Sequence, residues 1–339
     1  MTTRPRVLQL GIIENAHATW AAIGSTADIV VPQSTDRASF LAECRSGAFD
    51  GCTVAFRTFE SVDVTGRVDA ELVAALPLSL RFICHNGAGY DQIDVPACTA
   101  RNIRVSNIQT AVDDATADCA MFLMLGALRN FNLSIRNMRR GVWRGACPEE
   151  TPRQGQDPQG KVLGILGMGG IGQNMAKKAL AFGMKIRYHN RNRLRPEQER
   201  ECKAEYRDFE TLLRESDVLS LNLPLNQHTR HIISRDQFAL MKQGIIIVNT
   251  ARGAVMDEAA LVEALDTGKV ASAGLDVYEN EPLVHPGLLA NDNVLLIPHM
   301  GTSTAQTMAK MEEWTMANVR KALEEGKLLS IVPEQRHME

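Results

Sequence analysis

The stretch GILGMGGIG, residues 164–172, decides the fold of this chain. Its glycines Gly167, Gly169 and Gly172 form the pattern G-x-G-x-x-G directly after an apolar run that is typical of a β-strand. The first glycine permits a tight turn, the second lets backbone approach a pyrophosphate, and the third lets the next helix pack against the strand. Amide groups at the start of that helix then face the anion. The stretch predicts a dinucleotide-binding turn; a tight turn without a ligand is the alternative.

Apolar runs and helical segments alternate regularly from Lys161 onward. The predicted strands are 161–167, 184–190, 218–224, 245–251, 270–277 and 293–299, and the predicted helices are 170–183, 208–217, 235–244 and 257–269. This alternation predicts βαβ units and a parallel sheet. The strands are almost continuously apolar, which favours a sheet covered by helices on both faces.

Residues 1–110 show the same alternation over a shorter length. The predicted strands there are 6–12, 52–57 and 80–87, and the predicted helices are 39–49 and 69–77. A mostly apolar helical stretch at 113–141 follows, which we expect to be buried between two domains. The Pro/Gly/Gln-rich run at 147–160 predicts a surface loop. A last helix at 303–326 lies beyond the strand pattern, so we expect it to cross back and make the first domain discontinuous.

The stretch YHNRNR, residues 188–193, bears on the choice of cofactor. An NAD site usually carries Asp or Glu about 20 residues after the glycines, where it accepts hydrogen bonds from the ribose 2′-OH. Here Asn190, Arg191 and Arg193 stand in place of an acid. Arginine suits a 2′-phosphate because its planar guanidinium makes charge-assisted hydrogen bonds to phosphate oxygens. The stretch favours NADP(H), with NAD(H) as the alternative cofactor; a solvated basic turn is the alternative structure.

Three polar residues follow three predicted strands of the second half: Arg252, Glu281 and His299. Because ligands of open α/β sheets gather outside the carboxyl ends of the strands, we expect the three to converge. Arginine can bind a carboxylate and polarise a carbonyl, and histidine can exchange a proton near neutral pH. A nearby glutamate favours the imidazolium and orients the ring. Singly, each residue has an ordinary structural explanation; His85, in the ligand-like loop CHNGAGYD, is the rival histidine.

The composition limits the class of protein. With 339 residues, 45% of them hydrophobic, the chain is long enough for two domains. A formal net charge of -3 argues against a nucleic-acid partner. Seven scattered cysteines without a CxxC pair predict reduced thiols and a cytoplasmic protein. We expect no membrane partner, because no apolar run reaches the ~20 residues that span a bilayer, and no metal, because no cluster has ligand spacing.

Taken together, several segments resemble the D-isomer-specific 2-hydroxyacid dehydrogenase family over nearly the whole chain. Within the family, the basic stretch is similar to that of fungal glyoxylate (2-oxo-acid) reductases and D-mandelate dehydrogenases. The segments that carry the resemblance are HNGAGYDQIDV (85–95), DDATADCAMFLMLGALRN (113–130), GILGMGGIG (164–172), NLPLNQHTRHII (222–233), MKQGIIIVNTARGAVMDE (241–258), GLDVYENEP (274–282) and PHMGT (298–302).

The resemblance implies an α/β protein of two Rossmann-like, doubly wound parallel-sheet domains. A dinucleotide-binding domain at 111–303 is expected to be inserted into a substrate-binding domain made of 1–110 and 304–339. The resemblance also implies a homodimer formed through the dinucleotide-binding domain. It supports Arg252, Glu281 and His299 as the catalytic residues.

The resemblance also assigns binding positions. The backbone N–H groups of Ala88 and Gly89 are expected to bind the substrate carboxylate. The expected substrate-binding residues are Asn86, Gly87, Ala88, Gly89 and Arg252. With the glycine turn and the basic stretch included, the expected cofactor-binding residues are Thr116, Gly167, Gly169, Gly170, Ile171, Gly172, Asn190, Arg191, Arg193, Pro224, Thr229, Thr250, Ala251, Arg252, Asp276, His299 and Gly301.

We therefore predict an NADP(H)-preferring D-2-hydroxyacid dehydrogenase that reduces 2-oxo acids, with bulky acids such as benzoylformate, the partner of D-mandelate, favoured. A glyoxylate/hydroxypyruvate reductase is the nearest alternative. Two alternatives of other classes are a dinucleotide-sensing interaction protein, such as a transcriptional corepressor, and another Rossmann enzyme, such as a methyltransferase. The complete Arg, Glu and His set argues against both, because neither class would need it.

Overall fold

The structure, a computed structural model, describes residues 4–143 and 154–338. The chain divides into a first unit, Met1–Val112 with Ser303–Glu339, and a second unit, Asp113–Thr302. The boundaries expected from the sequence lie near 110 and 303. The assignment of substrate binding to the first unit and of dinucleotide binding to the second stays a prediction.

The described part of the first unit contains a five-stranded parallel sheet with the order β2-β1-β3-β4-β5. Its strands are β1 (Arg6–Leu10), β2 (Asp28–Val30), β3 (Cys52–Thr58), β4 (Phe82–Asn86) and β5 (Arg104–Ser106). Every residue of β4 is buried, as expected of a central strand with cover on both faces. The order reverses between β1 and β3, which makes the sheet doubly wound.

Five helices precede the second unit in the described residues. They are α1 (His17–Thr26), α2 (Arg37–Arg45), α3 (Val62–Thr65), α4 (Ala70–Ala75) and α5 (Val95–Ala100). Aspartates begin three of them: the side chains of Asp36, Asp69 and Asp94 accept hydrogen bonds from backbone N–H groups in the first turns of α2, α4 and α5. Such caps satisfy amide groups that the helix itself cannot pair.

The second unit contains a seven-stranded parallel sheet with the order β12-β11-β10-β9-β6-β7-β8 over its described residues. Its strands are β6 (Val162–Leu166), β7 (Lys185–His189), β8 (Ala204–Tyr206), β9 (Val218–Leu221), β10 (Ile245–Asn249), β11 (Val270–Leu275) and β12 (Val294–Leu296). The order reverses between β6 and β9, so the carboxyl ends of these two strands border the crevice where such sheets bind ligands. The prediction of two doubly wound parallel sheets is confirmed.

The second unit contains eight α-helices over its described residues. They are α6 (Asp113–Leu128), α7 (Phe131–Arg139), α8 (Gly170–Ala181), α9 (Pro196–Cys202), α10 (Phe209–Glu215), α11 (Arg235–Leu240), α12 (Glu258–Asp266) and α13 (Pro286–Ala290). The helical stretch expected at 113–141 consists of two helices, because Asn130 takes a left-handed φ of 50° and separates α6 from α7. Asparagine tolerates this conformation better than most residues. α6 packs against α8, β10 and β11 of its own unit.

The final α-helix, α14 (Ala305–Glu325), belongs to the first unit, where it packs against β3 and β4, and a short 3-10 helix (Pro333–Met338) follows it. Its buried Glu312 accepts hydrogen bonds from the N–H groups of Glu14, Asn15 and Ala16, at 2.9, 2.9 and 2.7 Å. These bonds tie α14 to the start of α1.

Two predictions made from the composition can be compared with the structure over the described ranges. The six cysteines within them are free thiols, and all except Cys119 are buried; Cys147 lies outside. No helix in the described ranges is long and apolar enough to cross a membrane. Of the surface loop expected at 147–160, residues 147–153 lie outside the described residues.

Candidate active site

The glycine turn joins β6 to α8 and leaves its middle open. Gly167 has a φ of 98°, and a Cβ atom there would lie 2.6 Å from the carbonyl oxygen of Asn222. A Cβ atom at Gly172 would lie 2.5 Å from the carbonyl oxygen of Gly167. At Gly169, by contrast, no atom lies within 4 Å of the Cβ position. The outer glycines are required by close packing, whereas the middle one leaves room for a ligand to approach the backbone.

Two buried polar atoms beside this turn lack hydrogen-bond partners among the described residues. They are Oδ1 of Asn222, directly after β9, and Oγ1 of Thr250, directly after β10. Buried polar atoms without partners destabilise a fold, and both residues lie at the carboxyl end of the sheet, where a dinucleotide would bind. The residues therefore fit a nicotinamide dinucleotide. Asn222 was not predicted, although its place at the end of an apolar strand was a usable signal.

Thr116, Asp276 and Gly301, three of the expected cofactor positions, lie together. The Asp276 carboxylate is 1% exposed and accepts hydrogen bonds from the N–H groups of Met300 at 2.5 Å and Gly301 at 2.9 Å. A Cβ atom at Gly301 would lie 2.9 Å from Asp276 Oδ2 and 3.3 Å from Thr116 Cγ2. Burial raises the pKa of Asp276, against the opposing effect of its two amide donors.

The loop after β9 is held by Thr229. Its hydroxyl donates to the carbonyl oxygen of Pro224 at 2.6 Å and accepts from the N–H group of Asn226 at 2.9 Å. The expected cofactor residues Pro224 and Thr229 are therefore the two ends of one short, internally bonded loop.

The turn after β10 is organised by Asn249, which the sequence reasoning did not single out. Its buried side chain accepts a hydrogen bond from the Ala251 N–H group at 3.0 Å and donates one to the Arg252 carbonyl oxygen at 3.0 Å. Arg252 Nη1 also donates to the Ala251 carbonyl oxygen at 2.8 Å. The expected catalytic arginine therefore sits on a turn with a defined backbone.

The structure brings Glu281 and His299 into direct contact. Nδ1 of His299 lies 2.8 Å from Oε2 of Glu281, and Oε1 of Glu281 accepts the N–H group of Tyr278 at 2.9 Å. Burial opposes ionisation of Glu281, but the bonds from His299 and Tyr278 and the charge of Arg252 outweigh it and hold the pKa of Glu281 below its ordinary value. Arg252 thus acts electrostatically on Glu281.

The backbone of His299 is in a conformation that side chains other than glycine rarely adopt. Its φ is 52°, and its N–H group donates to the Asp276 carbonyl oxygen at 2.7 Å. Left-handed backbone in a residue other than glycine costs about 1–3 kcal/mol and often occurs where function requires a particular orientation. The backbone conformation that directs the His299 ring toward Glu281 therefore has a free-energy cost.

The loop that contains Glu281 is hydrogen-bonded to Glu258, a buried residue at the start of α12. Its carboxylate accepts the Glu279 N–H group at 2.5 Å. Burial raises the pKa of Glu258. A Cβ atom at Gly253 would lie 1.8 Å from the carbonyl carbon of Tyr278, so the Arg252 turn and the Glu281 loop are packed together without space for a side chain. Sequence reasoning missed Glu258.

The basic stretch after β7 contains two arginines in different situations. Arg193 donates two hydrogen bonds to Glu199, at 2.8 and 2.9 Å, and its guanidinium lies 5.7 Å from the centre of the Tyr206 ring. Arg191 is exposed and makes no hydrogen bond or ion pair with any residue that the structure describes. Oδ1 of Asn190 accepts the Met168 N–H group at 2.6 Å, which ties the basic stretch to the glycine turn.

The expected substrate-binding residues 86–89 lie at the end of β4, which includes Asn86, and in the loop that follows it in the first unit. The carbonyl oxygens of Gly87, Ala88 and Gly89 all accept hydrogen bonds from within that unit. Their partners are, in order, Ile108 N at 3.0 Å, Asn107 Nδ2 at 2.7 Å and His85 Nε2 at 3.1 Å. The N–H groups of Ala88 and Gly89 donate to no described residue. Asn86 is buried, with its side chain 3.4 Å from the Thr315 hydroxyl.

In the described ranges, no group of three or more His, Cys, Asp or Glu side chains is arranged to hold a metal ion.

Comparison with known proteins shows the class. Residues 121–301 match the family model described as D-isomer specific 2-hydroxyacid dehydrogenase, NAD binding domain. The chain belongs to the D-isomer-specific 2-hydroxyacid dehydrogenase family, as its motifs predicted. It is therefore an oxidoreductase that acts on the CH–OH group of its donor. Its cofactor is a nicotinamide dinucleotide, and its substrate is a small hydroxy or oxo acid.

Two relatives match almost the full length. The chain is 52% identical to 4-methyl-2-oxopentanoate reductase A of Aspergillus oryzae, over 98% of this chain and 99% of the relative. It is 45% identical to glyoxylate reductase 1 of Saccharomyces cerevisiae, over 98% of this chain and 96% of the relative.

Solved structures share the whole fold. A glyoxylate reductase from Paecilomyes thermophila has a TM-score of 0.95 at 51% identity, over 99% of this chain and 100% of that chain. The holo form of Rhodotorula graminis D-mandelate dehydrogenase has a TM-score of 0.91 at 34% identity, over 97% and 98%. An NADPH-dependent glyoxylate/hydroxypyruvate reductase from Sinorhizobium meliloti, in complex with NADP and malonate, has a TM-score of 0.84 at 29% identity, over 98% of both chains.

Proposed function

We propose that this protein is an NADPH-dependent reductase of 2-oxo acids that forms the D-hydroxy acid and works in reverse as a dehydrogenase. The observation that carries the proposal is the contact of His299 with Glu281 at 2.8 Å, with the charge of Arg252 acting on the same glutamate. Both residues follow strands of the sheet that carries the glycine turn: Glu281 lies after β11 and His299 after β12. The pair supplies a proton donor next to the end of the sheet where a nicotinamide would lie.

Each of the three side chains has a defined role in the proposed reaction. The reduced nicotinamide, when bound, supplies the hydride for the substrate's carbonyl carbon. Arg252 binds the substrate and polarises its carbonyl group. Because Nδ1 of His299 faces Glu281, Nε2 is the nitrogen that gives its proton to the developing alkoxide. The Glu281 carboxylate favours the protonated ring before transfer and orients it.

The carboxylate of the substrate is assigned to the Ala88 and Gly89 N–H groups. Their neighbouring carbonyl oxygens are all bonded into the first unit, which leaves these two amides for an anion. Adjacent backbone N–H groups form a typical anion-binding concavity. We propose that this loop selects acids over neutral carbonyl compounds.

The proposed preference for NADPH depends on Arg191. The chain carries no acid in this stretch, and the exposed guanidinium of Arg191 has no described partner, so it can bind a 2′-phosphate without breaking an ion pair. Arg193 would first have to leave Glu199. We therefore assign the direct contact to Arg191 and a smaller contribution to Arg193. The Sinorhizobium meliloti reductase, described as NADPH-dependent, supports NADPH as the cofactor.

For the substrate, we propose 2-oxo acids with a bulky side group, either branched or aromatic. The Aspergillus oryzae relative is named for 4-methyl-2-oxopentanoate, and the Rhodotorula graminis enzyme for D-mandelate. Reduction of glyoxylate or hydroxypyruvate is the second candidate, because the 51% identical solved structure is a glyoxylate reductase. A cofactor-sensing protein without catalysis is not favoured, since it would not need the His299–Glu281 pair.

We also propose that the protein forms a homodimer through α6 and α7. Phe122, Phe131, Ile135 and Met138 are large apolar side chains on these helices, and each is 41–55% exposed. Trp143, just beyond α7, is 71% exposed. A cluster of this kind commonly marks a protein–protein interface. A second copy is the proposed partner, because two such faces can cover each other around a two-fold axis.

One matrix of assays tests the proposed function. NADPH and NADH are each combined with glyoxylate, hydroxypyruvate, 4-methyl-2-oxopentanoate and benzoylformate, and kcat/KM is measured for every pair. We expect the highest values with NADPH and the two bulky acids, and a D-configured product. A preference for glyoxylate would support the second candidate, and absence of turnover with all four acids would contradict both.

A further inference from the structure

Arg57, near the end of β3, is a charged side chain with no exposed surface and no carboxylate partner. Its side chain is 0% exposed and forms no salt bridge in the described residues. Nη1 donates to Nδ1 of His85 at 3.0 Å and Nη2 to Oε1 of Gln92 at 2.7 Å, whereas Nε has no partner. Burial lowers the pKa of Arg57 to about 10, against the opposing charges of Glu60 and Asp91. The group is still charged at neutral pH, and a buried charge without a counter-ion is costly.

The contact with Arg57 determines which nitrogen of His85 carries a proton. Arg57 and His85 are register partners on the adjacent strands β3 and β4, so their side chains project from the same face of the sheet. Arginine can only donate, so Nδ1 of His85 must accept, and the proton of the neutral ring is on Nε2. Nε2 then donates to the carbonyl oxygen of Gly89 at 3.1 Å.

The same ring supports the loop from below. A Cβ atom at Gly87 would lie 2.5 Å from Nε2 of His85, so the loop rests directly on the imidazole. The Gly89 carbonyl oxygen is held inward by His85, as those of Gly87 and Ala88 are held by other donors. This arrangement leaves the amides of Ala88 and Gly89 without described partners, close to a buried positive charge.

We infer that Arg57 and His85 form a relay that positions the 87–89 loop and supplies it with positive charge, so that the loop binds the carboxylate of the substrate. Both are positioning residues: Arg57 sets the tautomer of His85, and His85 holds the loop. The substrate's carboxylate adds a negative charge on the side of the loop, whereas Glu60 and Asp91 act on Arg57 without forming an ion pair with it. The inference rests on the proposed function, because it takes the loop's ligand to be a 2-oxo acid.

The test compares an acid with its neutral ester in variants of the full-length protein. KM and kcat are measured for benzoylformate and for methyl benzoylformate, and the Kd of NADPH by fluorescence titration. In Arg57→Met, KM for the acid should rise by about tenfold or more, because a charge interaction is lost in a site of low dielectric. KM for the ester should change by less than about threefold, kcat should fall only slightly, and the Kd of NADPH should stay the same, since that charge interaction serves the carboxylate alone.

Three further variants separate positioning from general destabilisation. Arg57→Lys keeps the charge and should restore most of the affinity for the acid. His85→Gln should weaken acid binding in the same direction, which also covers the case that Arg57→Met does not fold. Arg101→Met is the matched control: Arg101 binds backbone carbonyl groups of the same unit, so its loss should lower the melting temperature without changing KM.

The outcomes distinguish the inference from the proposed function. If wild-type protein reduces the acid but folded Arg57→Met has an unchanged KM, or loses acid and ester equally, the relay is wrong. If KM of Arg101→Met rises as much as that of Arg57→Met, the effect is only structural and the relay is again wrong. If wild-type protein reduces none of the acids, the proposed function itself fails; the relay can then still be tested through the binding of oxamate to the protein–NADPH complex.

Discussion

Nδ1 of His299 lies 2.8 Å from Oε2 of Glu281, and this pair determines how activity should depend on pH. Because the pKa of Glu281 is held below its ordinary value, its carboxylate stays ionised as the pH falls through the usual glutamate range. The charge that supports the imidazolium is therefore present from mildly acidic pH upward. Protonation of Glu281 should therefore not limit reduction as the pH falls through the usual glutamate range.

Glu281→Gln should lower kcat/KM for reduction by about tenfold or more, because the carboxylate that orients the His299 ring and favours its protonated form is lost. The measurement is kcat/KM for the 2-oxo acid from pH 5 to 9. Glu279→Gln is the matched control, since that neighbouring carboxylate contacts His231 instead, and its kcat/KM should be unchanged. A kcat/KM of Glu281→Gln equal to that of wild-type protein across this range would show that the glutamate does not support the proton donor.

Arg191→Ala should raise KM for NADPH by about ten- to hundredfold, because hydrogen bonds to a charged group contribute about 1.5–3 kcal/mol. KM for NADH, which has no 2′-phosphate, should change little. Arg193→Ala should have a smaller effect, since Glu199 already holds that guanidinium. Arg195→Ala serves as the control for the loss of one exposed basic residue. Equal losses with both cofactors would refute the phosphate contact.

Ile135→Asp should separate the proposed dimer. The substitution places a charge in the middle of the exposed apolar face of α7, and burying an unpaired charge costs several kcal/mol. Light scattering coupled to size-exclusion chromatography should give a dimer for wild-type protein and a monomer for the variant. Leu78→Asp is the control, because Leu78 is 82% exposed in the first unit. A monomeric wild-type protein would contradict the proposal.

Glu312→Gln should lower the free energy of unfolding by about 1–3 kcal/mol at neutral pH, because hydrogen bonds to a charged group are lost. Burial opposes ionisation of Glu312, but the N–H groups of Ala16, Glu14 and Asn15 outweigh it and lower its pKa. A lowered folded pKa contributes stability that is complete above the unfolded value of about 4.3 and is lost as the pH falls through the folded value.

Urea unfolding of Glu312→Gln and wild-type protein at a series of pH values measures this difference. The gap should be full at pH 7 and should shrink below about pH 4. Glu313→Gln is the matched control, because the neighbouring Glu313 is bonded, among the described residues, only to the Thr19 hydroxyl at the surface. A gap that does not depend on pH would show that the charge of Glu312 is not what stabilises the contact.

Local patterns were enough to predict the fold class and the candidate catalytic residues, but they missed the three-residue strands β2, β5 and β8. Gly167 and Gly169 mark the turn by spacing alone, and Arg252 and His299 stand directly after apolar strands, where a parallel sheet gathers its ligand-binding residues. The break between α6 and α7 was missed, because the apolar pattern continues across it and only the left-handed backbone of Asn130 interrupts the helix.

Contacts that depend on where an element begins or on the register of two strands were not predictable. The pairing of Arg193 with Glu199 depends on where α9 begins, and that helix was not predicted. The contact of Arg57 with His85 depends on the register of β3 against β4, which the composition of two apolar strands does not specify. Glu258 looks like an ordinary first-turn acid of α12 until its bond to the Glu279 loop is seen.

Proton donation by His299 is the central claim, and one comparison tests it most directly: kcat for reduction of a 2-oxo acid by wild-type protein and by His299→Gln at saturating NADPH. Glutamine keeps much of the ring's size but cannot donate a proton as an imidazolium does. A fall in kcat of about a hundred- to ten-thousandfold is expected, the usual contribution of general acid catalysis, with an unchanged Kd for NADPH. A His299→Gln protein that binds NADPH normally and keeps kcat near the wild-type value would contradict the assignment.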